Sequence, residues 1–400
     1  MFKIIKYMER QKDITYVVAS KLGTIGMGST AYNALRGIES ARLNYKCFSR
    51  GYIPHIALNK NNLSDYSWLE CLSYPFRFIE KYLKIKINSF KFVNYLFGKL
   101  ISLNLPKTKI YHSWIGISPD AVRRAKENGA ILVLEGANSH PMNCLDILSK
   151  EYSNFKVKMT VAEKDSFYTQ SKLSKQFNYV ICPSKFVHDS FLKYGFFEKQ
   201  LIDIPYGVDI NKFKPNKSKV NHPLRFIFVG SVQLRKGVQY LLKAWQELGL
   251  KDSELLIVGR VWPDANEVVK EYKHISSIKF IGFDANPARI LHSSDVFISP
   301  SLEEGSALTC YEAMASGLPV IATHNTGSVV RDGKDGFIIP IRNIREIKQK
   351  ILYFYENRSK INEMGHNARE NMKNYTWEEY GRRLSRFYKK ILDNNKKTHE

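Results

Sequence analysis

Residues 299–323 read SPSLEEGSALTCYEAMASGLPVIAT. An apolar strand, Val296–Ser299, ends at Pro300; a loop then carries Glu304 and Gly305, and a helix opens near Ser306 and bears Glu312. Ser316-Gly317-Leu318-Pro319 stops that helix, because glycine accepts the left-handed cap and proline cannot continue the ladder. A second apolar strand, Val320–Ala322, follows at once. Strand, helix and strand in so short a span predict parallel pairing, with the helix laid on the sheet. Backbone N–H groups at a helix start have no partner inside the helix, so Ser306, Ala307 and Leu308 are candidate donors to a diphosphate. Glu304 and Glu312 have seven residues between them. Eight helical steps rise about 12 Å, comparable to the reach from a hexose to a ribose across a diphosphate. One carboxylate can take sugar hydroxyls while the other takes the ribose.

The same alternation extends outward in both directions. Strands are expected at Phe226–Val229, Leu255–Val258, Lys279–Ile281 and Phe337–Ile339, with helices at Val238–Leu248 and Pro287–His292. Towards the N-terminus a strand at Ile14–Ala19 is followed by a loop with Gly23, Gly26 and Gly28 and a helix from about Ser29 to Ala41. Further strands fall at Lys109–His112, Ile131–Leu134, Tyr179–Cys182 and Leu201–Ile204, and Ser118-Pro119 starts a helix as N-cap and first-turn proline. Tyr206–Pro223, rich in Lys, Asn, Gly and Pro, reads as an interdomain linker. Thr376 and Glu379 form a capping box for a separate basic helix through about Leu392. The fold class is α/β, divided into residues 1–205, 206–375 and a C-terminal helix, 376–400.

Composition narrows the function classes. Four hundred residues suit two domains. The five cysteines are scattered and never form C-x-x-C, which excludes a disulfide framework or zinc knuckle and fits a reducing cytosol. The N-terminus is too charged for a signal peptide, and the most apolar stretch, Phe90–Leu105, is broken by Lys91, Asn94, Lys99 and Asn104, so no spanning helix is expected. With 61 Lys and Arg against 38 Asp and Glu the net charge is +23, which draws anions. An insertion at about 60–109 interleaves Phe76, Phe78, Tyr82, Phe90, Phe92, Tyr95 and Phe97 with lysines and Arg77. It reads as a membrane-surface helix pair, with a core-packed helical insertion as the alternative.

The paired glutamates resemble the signature of glycosyltransferase family 4, the retaining enzymes of GT-B fold (glycosyl transferases group 1). The likeness extends to Phe228-Val229-Gly230-Ser231, Arg235-Lys236-Gly237, Ile257-Val258-Gly259-Arg260, Ser294-Asp295-Val296, Asp332-Gly333 and Gly336-Phe337. In the first half it reaches Pro183-Ser184 and Pro205-Tyr206-Gly207-Val208-Asp209. It implies two Rossmann-like domains facing a central cleft, with the C-terminal helix crossing back to the first. By this resemblance Lys236 and Arg235 bind the donor diphosphate, helped by the loop with Gly26 and Gly28, and Glu304 contacts the sugar. Glu312 takes the ribose, the backbone of Gly259 and Arg260 faces the nucleobase, and Gly305, Ser306, Ala307 and Leu308 cradle the phosphates. His140, just past a strand's carboxyl end, is expected near the reacting sugar; His112 is the alternative. No D-x-D pair occurs, so no metal is expected, and the nucleotide-sugar is a co-substrate rather than a cofactor. Two departures stand out: Ser231 where many relatives carry arginine, and Gly-Ser-Ala after Glu304 in place of the commoner Gly-Phe-Gly.

These readings point to a retaining transferase that uses a UDP- or GDP-sugar and a saccharide acceptor, lipid-linked, in bacterial surface-polysaccharide assembly. The protein is expected in the cytoplasm, peripheral on the anionic inner face of the plasma membrane, without a nucleic-acid partner. The rivals are a GT-B nucleotide-sugar epimerase or hydrolase and a non-catalytic basic membrane- or nucleic-acid-binding protein.

Overall fold

The structure, a computed structural model, describes residues 11–75, 82, 89–114, 116, 118–215 and 223–397. The chain forms two parallel sheets. The first contains β1 (Lys12–Val18), β2 (Tyr45–Ser49), β3 (Leu63–Asp65), β4 (Thr108–Trp114), β5 (Ile131–Glu135), β6 (Tyr179–Cys182) and β7 (Leu201–Asp203), in the order β3-β2-β1-β4-β5-β6-β7. The second contains β8 (Leu224–Val229), β9 (Ser253–Val258), β10 (Ile278–Gly282), β11 (Val296–Ser299), β12 (Val320–Thr323) and β13 (Gly336–Ile339), in the order β10-β9-β8-β11-β12-β13. Val296, Phe297 and Ile298, like Val320, Ile321 and Ala322, are fully buried, as expected of strands covered on both faces. The strand order reverses between β1 and β4 in one sheet and between β8 and β11 in the other. Loops leaving the carboxyl ends of such neighbours part to opposite faces and open a crevice for ligands.

Most differences from the sequence reading are local. β2 and β3 have five and three residues and carry little periodicity to read. The helix expected near Ser306 begins at Leu308, because the Ala307 N–H donates to the Thr326 carbonyl at 3.1 Å and ends the non-helical approach there. The Tyr206–Pro223 linker is not a free tether: Tyr206, Val208 and Phe213 are buried, and the Val208 N–H donates to the Tyr375 carbonyl at 2.9 Å. The two chain crossings between the domains therefore lie side by side.

Part of the aromatic, basic insertion lies at 76–81 and 83–88, outside the described residues. The helix Ser89–Asn104 turns Val93, Phe97 and Ile101, four residues apart, into the core against Ala121, Val122 and Ala125 of the helix Pro119–Glu127. Phe92, Tyr95 and Leu103 remain exposed. This helix is thus core-packed on one face and open on another. Among the described residues no helix is long and apolar enough to cross a membrane.

The helix Trp377–Lys397 returns to the first domain and lies along the helix Met27–Ser40. The two backbones meet at Gly37 and Gly381; a Cβ on Gly381 would stand 2.8 Å from the Gly37 Cα. Gly381→Ala should therefore overpack the crossing and cost about 1–3 kcal/mol, read as a lower urea midpoint. An unchanged midpoint would show that the helices can part at no cost.

Candidate active site

The site begins at the β8–β11 reversal. After β8 the chain turns through the short helix Leu234–Lys236, which presents two adjacent cations. The loop after β11 is pinned to that turn by the Leu302 N–H, which donates to the Arg235 carbonyl at 2.9 Å. This places Glu303 and Glu304 against Arg235 and Lys236. Arg235 Nη1 donates to the Glu303 carbonyl at 2.8 Å and lies 3.2 Å from Glu303 Oε2 and 3.4 Å from Glu304 Oε2. Lys236 Nζ pairs with Glu304 Oε2. Burial, reinforced by the Arg235 charge, holds the Lys236 ammonium well below the ordinary lysine range, against the opposing pull of Glu303. Two cations held this close and this far out of water form a site that gains from an arriving anion.

The helix Leu308–Ala315 lies beside this cluster. The Ser306 hydroxyl bonds the Gly327 carbonyl at 3.0 Å and stands 3.0 Å from the Tyr311 hydroxyl, locking the approach. The Ala307 N–H is occupied by Thr326, but those of Ser306 and Leu308 donate to no group among the described residues. Of the three phosphate donors expected here, two are therefore available and one is structural. Glu312 projects from the same helix; burial raises its carboxyl to about 7, with Lys212 opposing.

Gly259 follows β9 with its N–H on the Gly282 carbonyl at 2.8 Å, and a Cβ there would sit 1.8 Å from the Gly230 carbonyl oxygen. The carboxyl ends of β8, β9 and β10 thus close to backbone contact. Arg260 is exposed, and its carbonyl accepts the Val232 N–H at 2.9 Å. In the first domain Gly26 caps the helix Met27–Ser40 and Gly28 closes the loop by accepting the Gly23 N–H at 2.9 Å.

The two domains meet directly at this site. Gly305 touches the first domain: its carbonyl accepts the Ser184 hydroxyl at 2.6 Å, and a Cβ would lie 1.7 Å from the Ala137 oxygen. Glu303, fully buried, accepts the Ser139 N–H and hydroxyl at 3.1 and 3.0 Å. Glu303 thus joins the first domain to Arg235, a part the sequence reading missed, since nothing in one sequence separates it from its neighbour Glu304. A second seam was equally invisible: buried Glu151 of the first domain accepts from Gln239 (2.8 Å), Tyr240 (2.8 Å) and Arg342 (2.6 Å) of the second.

Both histidines are buried. His140 is the N-cap of the helix Pro141–Asn154; its Nδ1 accepts the Met142 N–H at 3.2 Å and its ring stacks on Tyr194 at 4.6 Å. His112 Nε2 lies 3.1 Å from Glu135 and its Nδ1 is 2.8 Å from the Tyr388 hydroxyl of the C-terminal helix. Among the described residues one group could hold a metal: ligand atoms of Cys182, His188 and Asp203 lie within 4.8 Å of one another at the β6–β7 edge. His188 already shares its ring nitrogens with Asp203 (2.8 Å) and Glu198 (3.3 Å), and burial holds the Cys182 thiol well above its ordinary range.

Two Rossmann-like parallel sheets, meeting at the carboxyl ends of their strands and strapped by a returning helix, define the GT-B architecture of glycosyltransferases. It is shared with HepE of Anabaena in complex with UDP and glucose, at a TM-score of 0.67 and 16% identity over 95% of this chain and 100% of that one. Residues 223–357, within the second domain, match the family described as "Glycosyl transferases group 1". The chain is 26% identical over 285 residues to an uncharacterised glycosyltransferase of Methanocaldococcus jannaschii, covering 67% of this chain and 78% of that protein. It is 32% identical over 161 residues to the UDP-Gal:alpha-D-GlcNAc-diphosphoundecaprenol alpha-1,3-galactosyltransferase of Escherichia coli, covering 35% and 41%.

Burial lowers the His140 pKa from 6.5 to about 4, with Lys175 adding to the shift. The unfolded chain binds that proton and the folded one refuses it, so stability is full above about pH 6.5 and falls as the pH drops towards 4. At pH 5 the loss is about 2 kcal/mol. His140→Asn keeps a capping oxygen and should flatten this dependence, measured as the urea midpoint at pH 7 and pH 5. A variant as acid-sensitive as the wild type would assign the effect elsewhere.

Proposed function

We propose that the protein transfers a sugar from a UDP- or GDP-linked donor to a saccharide hydroxyl with retention of anomeric configuration. The observation that carries this reading is the half-buried Arg235–Lys236 pair facing Glu304 beside the unpartnered N–H groups of Ser306 and Leu308. A diphosphate arriving there meets two cations and a helix start, and it offers Lys236 the anionic partner that Glu304 now supplies. Glu304, released, turns to the sugar hydroxyls, and Glu312 takes the ribose. As the glycosidic bond breaks, negative charge grows on the departing phosphate, where fixed cations and dipoles stabilise it. The acceptor hydroxyl enters from the face the phosphate leaves and gives its proton to the departing oxygen. The reaction needs no dedicated nucleophile and no metal. His140, capping its helix and stacked on Tyr194, holds the Ser139 turn in place beside Glu303; in this reading it acts through position.

The acceptor is proposed to be a lipid-linked saccharide of bacterial surface-polysaccharide assembly, reached at the inner face of the plasma membrane. Supporting this are the +23 charge and the exposed Trp68, Tyr74, Tyr82, Phe92 and Tyr95 of the first domain, rings suited to a headgroup layer. The relative from E. coli, named for a diphosphoundecaprenol acceptor, is consistent with it.

A thermal-shift and turnover screen with UDP-, GDP-, ADP- and CMP-sugars tests the donor site. One nucleotide class should stabilise the wild type, Lys236→Ala should lose most of that stabilisation, and Glu304→Ala should bind the nucleotide yet lose turnover by about 10²-fold or more. If no nucleotide stabilises the protein, the reading fails. The raised Glu312 carboxyl adds a pH signature. As a carboxylate it accepts ribose hydroxyls more strongly, so donor KM should fall as the pH rises through about 7, and Glu312→Gln should flatten that profile. A wild-type KM independent of pH in this range would remove Glu312 from the ribose.

A further inference from the structure

A cavity of about 480 Å³ opens between the helices Met27–Ser40 and Trp377–Lys397, away from the β8–β11 crevice. It flanks the Gly37–Gly381 crossing, where the two backbones meet. Four cations stand on its rim, Arg36, Arg382, Arg386 and Lys389, against one acid, Glu378. Arg382 is taken by Glu379 at 2.6 and 2.8 Å. Arg36, Arg386 and Lys389 enter no ion pair among the described residues, and all three are exposed. The floor includes Trp377 and Ser385; Ser385 is 4% exposed, and its hydroxyl has no hydrogen-bond partner.

Arg382, Ser385, Arg386 and Lys389 recur at spacings of three, one and three, which puts them on one face of the returning helix. Three unpaired cations around a buried hydroxyl and an indole suit a tetrahedral anion carrying an apolar or polyol group. The guanidinium forks take the oxygens, the hydroxyl donates from below, and the indole covers the remainder. We infer that this groove is a second binding site, for a phosphate ester, built on the helix that straps the domains together. The phosphate ester could be a phospholipid headgroup or a soluble sugar or polyol phosphate; both present the same chemistry.

The test uses the full chain carrying Lys236→Ala, so that the cleft does not contribute phosphate affinity. sn-Glycerol 3-phosphate is titrated by calorimetry, and vesicles of phosphatidylglycerol in phosphatidylcholine are titrated by sedimentation. The pair Arg386→Ala/Lys389→Ala, exposed positions that leave the fold intact, should weaken binding about ten-fold or more. Removing two exposed charges elsewhere, Lys164→Ala/Lys172→Ala, should leave it unchanged. Ser385→Ala should weaken the soluble phosphate more than it weakens general vesicle attraction. Binding of glycerol phosphate that depends on Arg386 and Lys389 supports a soluble ester; dependence seen with vesicles alone supports a lipid headgroup. Absence of binding to either probe, or equal loss in the control pair, would overturn the site.

Discussion

The two domains depend on one close approach, that of Gly305 to Ala137. The loop after β11 lies against the turn after β5 so tightly that a single methyl on Gly305 would overlap the Ala137 carbonyl oxygen, while the Gly305 carbonyl takes the Ser184 hydroxyl. Any larger residue would push the first domain away from the loop that carries Glu303 and Glu304. The glycine is there for proximity, and through it the carboxyl ends of both sheets face one another. The crevices that strand-order reversal opens in each sheet thereby become one cleft.

Around that contact the protein buries charge on a scale that demands full pairing. Glu303 and Glu151 are both removed from water: Glu303 is met by Ser139 of the first domain and Arg235 of the second, and Glu151 of the first domain by three donors of the second. Breaking such a pair by removing one partner costs about 3–5 kcal/mol, because a charge is left uncompensated. The apposed domains are thus favoured only when Ser139, Arg235, Gln239, Tyr240 and Arg342 stand where these carboxylates need them. This geometric condition ties the apposition of the domains to the position of the Arg235 guanidinium. A hydrophobic seam of the same area would hold the domains together without that dependence.

On the opposite side the chain crosses twice, and the crossings are hydrogen-bonded to each other at Val208 and Tyr375. The returning helix anchors its far end on the first sheet through the Tyr388 hydroxyl and His112. The same helix forms one wall of the cationic groove, so a ligand there would sit on the strap between the domains.

Much of this was legible in the sequence by itself. The apolar runs on either side of Glu304, the Gly317-Leu318-Pro319 stop and the recurring strand–helix spacing pointed to parallel sheets and put Glu304 and Glu312 on one loop and helix; the family resemblance added Arg235 and Lys236, and the strand reversal that gathers all four is a property of the fold. Those signals are local, and periodicity and caps act within a few residues. What only the tertiary structure decided involves partners far apart in the chain. Glu303 differs from Glu304 only in which domain its oxygens meet, Glu151 is one more helix acid until Arg342 arrives 191 residues later, and the Ala307 N–H is lost to Thr326. The insertion's helix looked like a membrane face because its aromatics are dense, yet burial of Phe97 against Ala121 and Val122 depends on a neighbour that composition does not specify. Local chemistry determines elements and candidate groups; which buried charge finds which partner is settled by packing, since desolvation penalises every arrangement that leaves one unpaired.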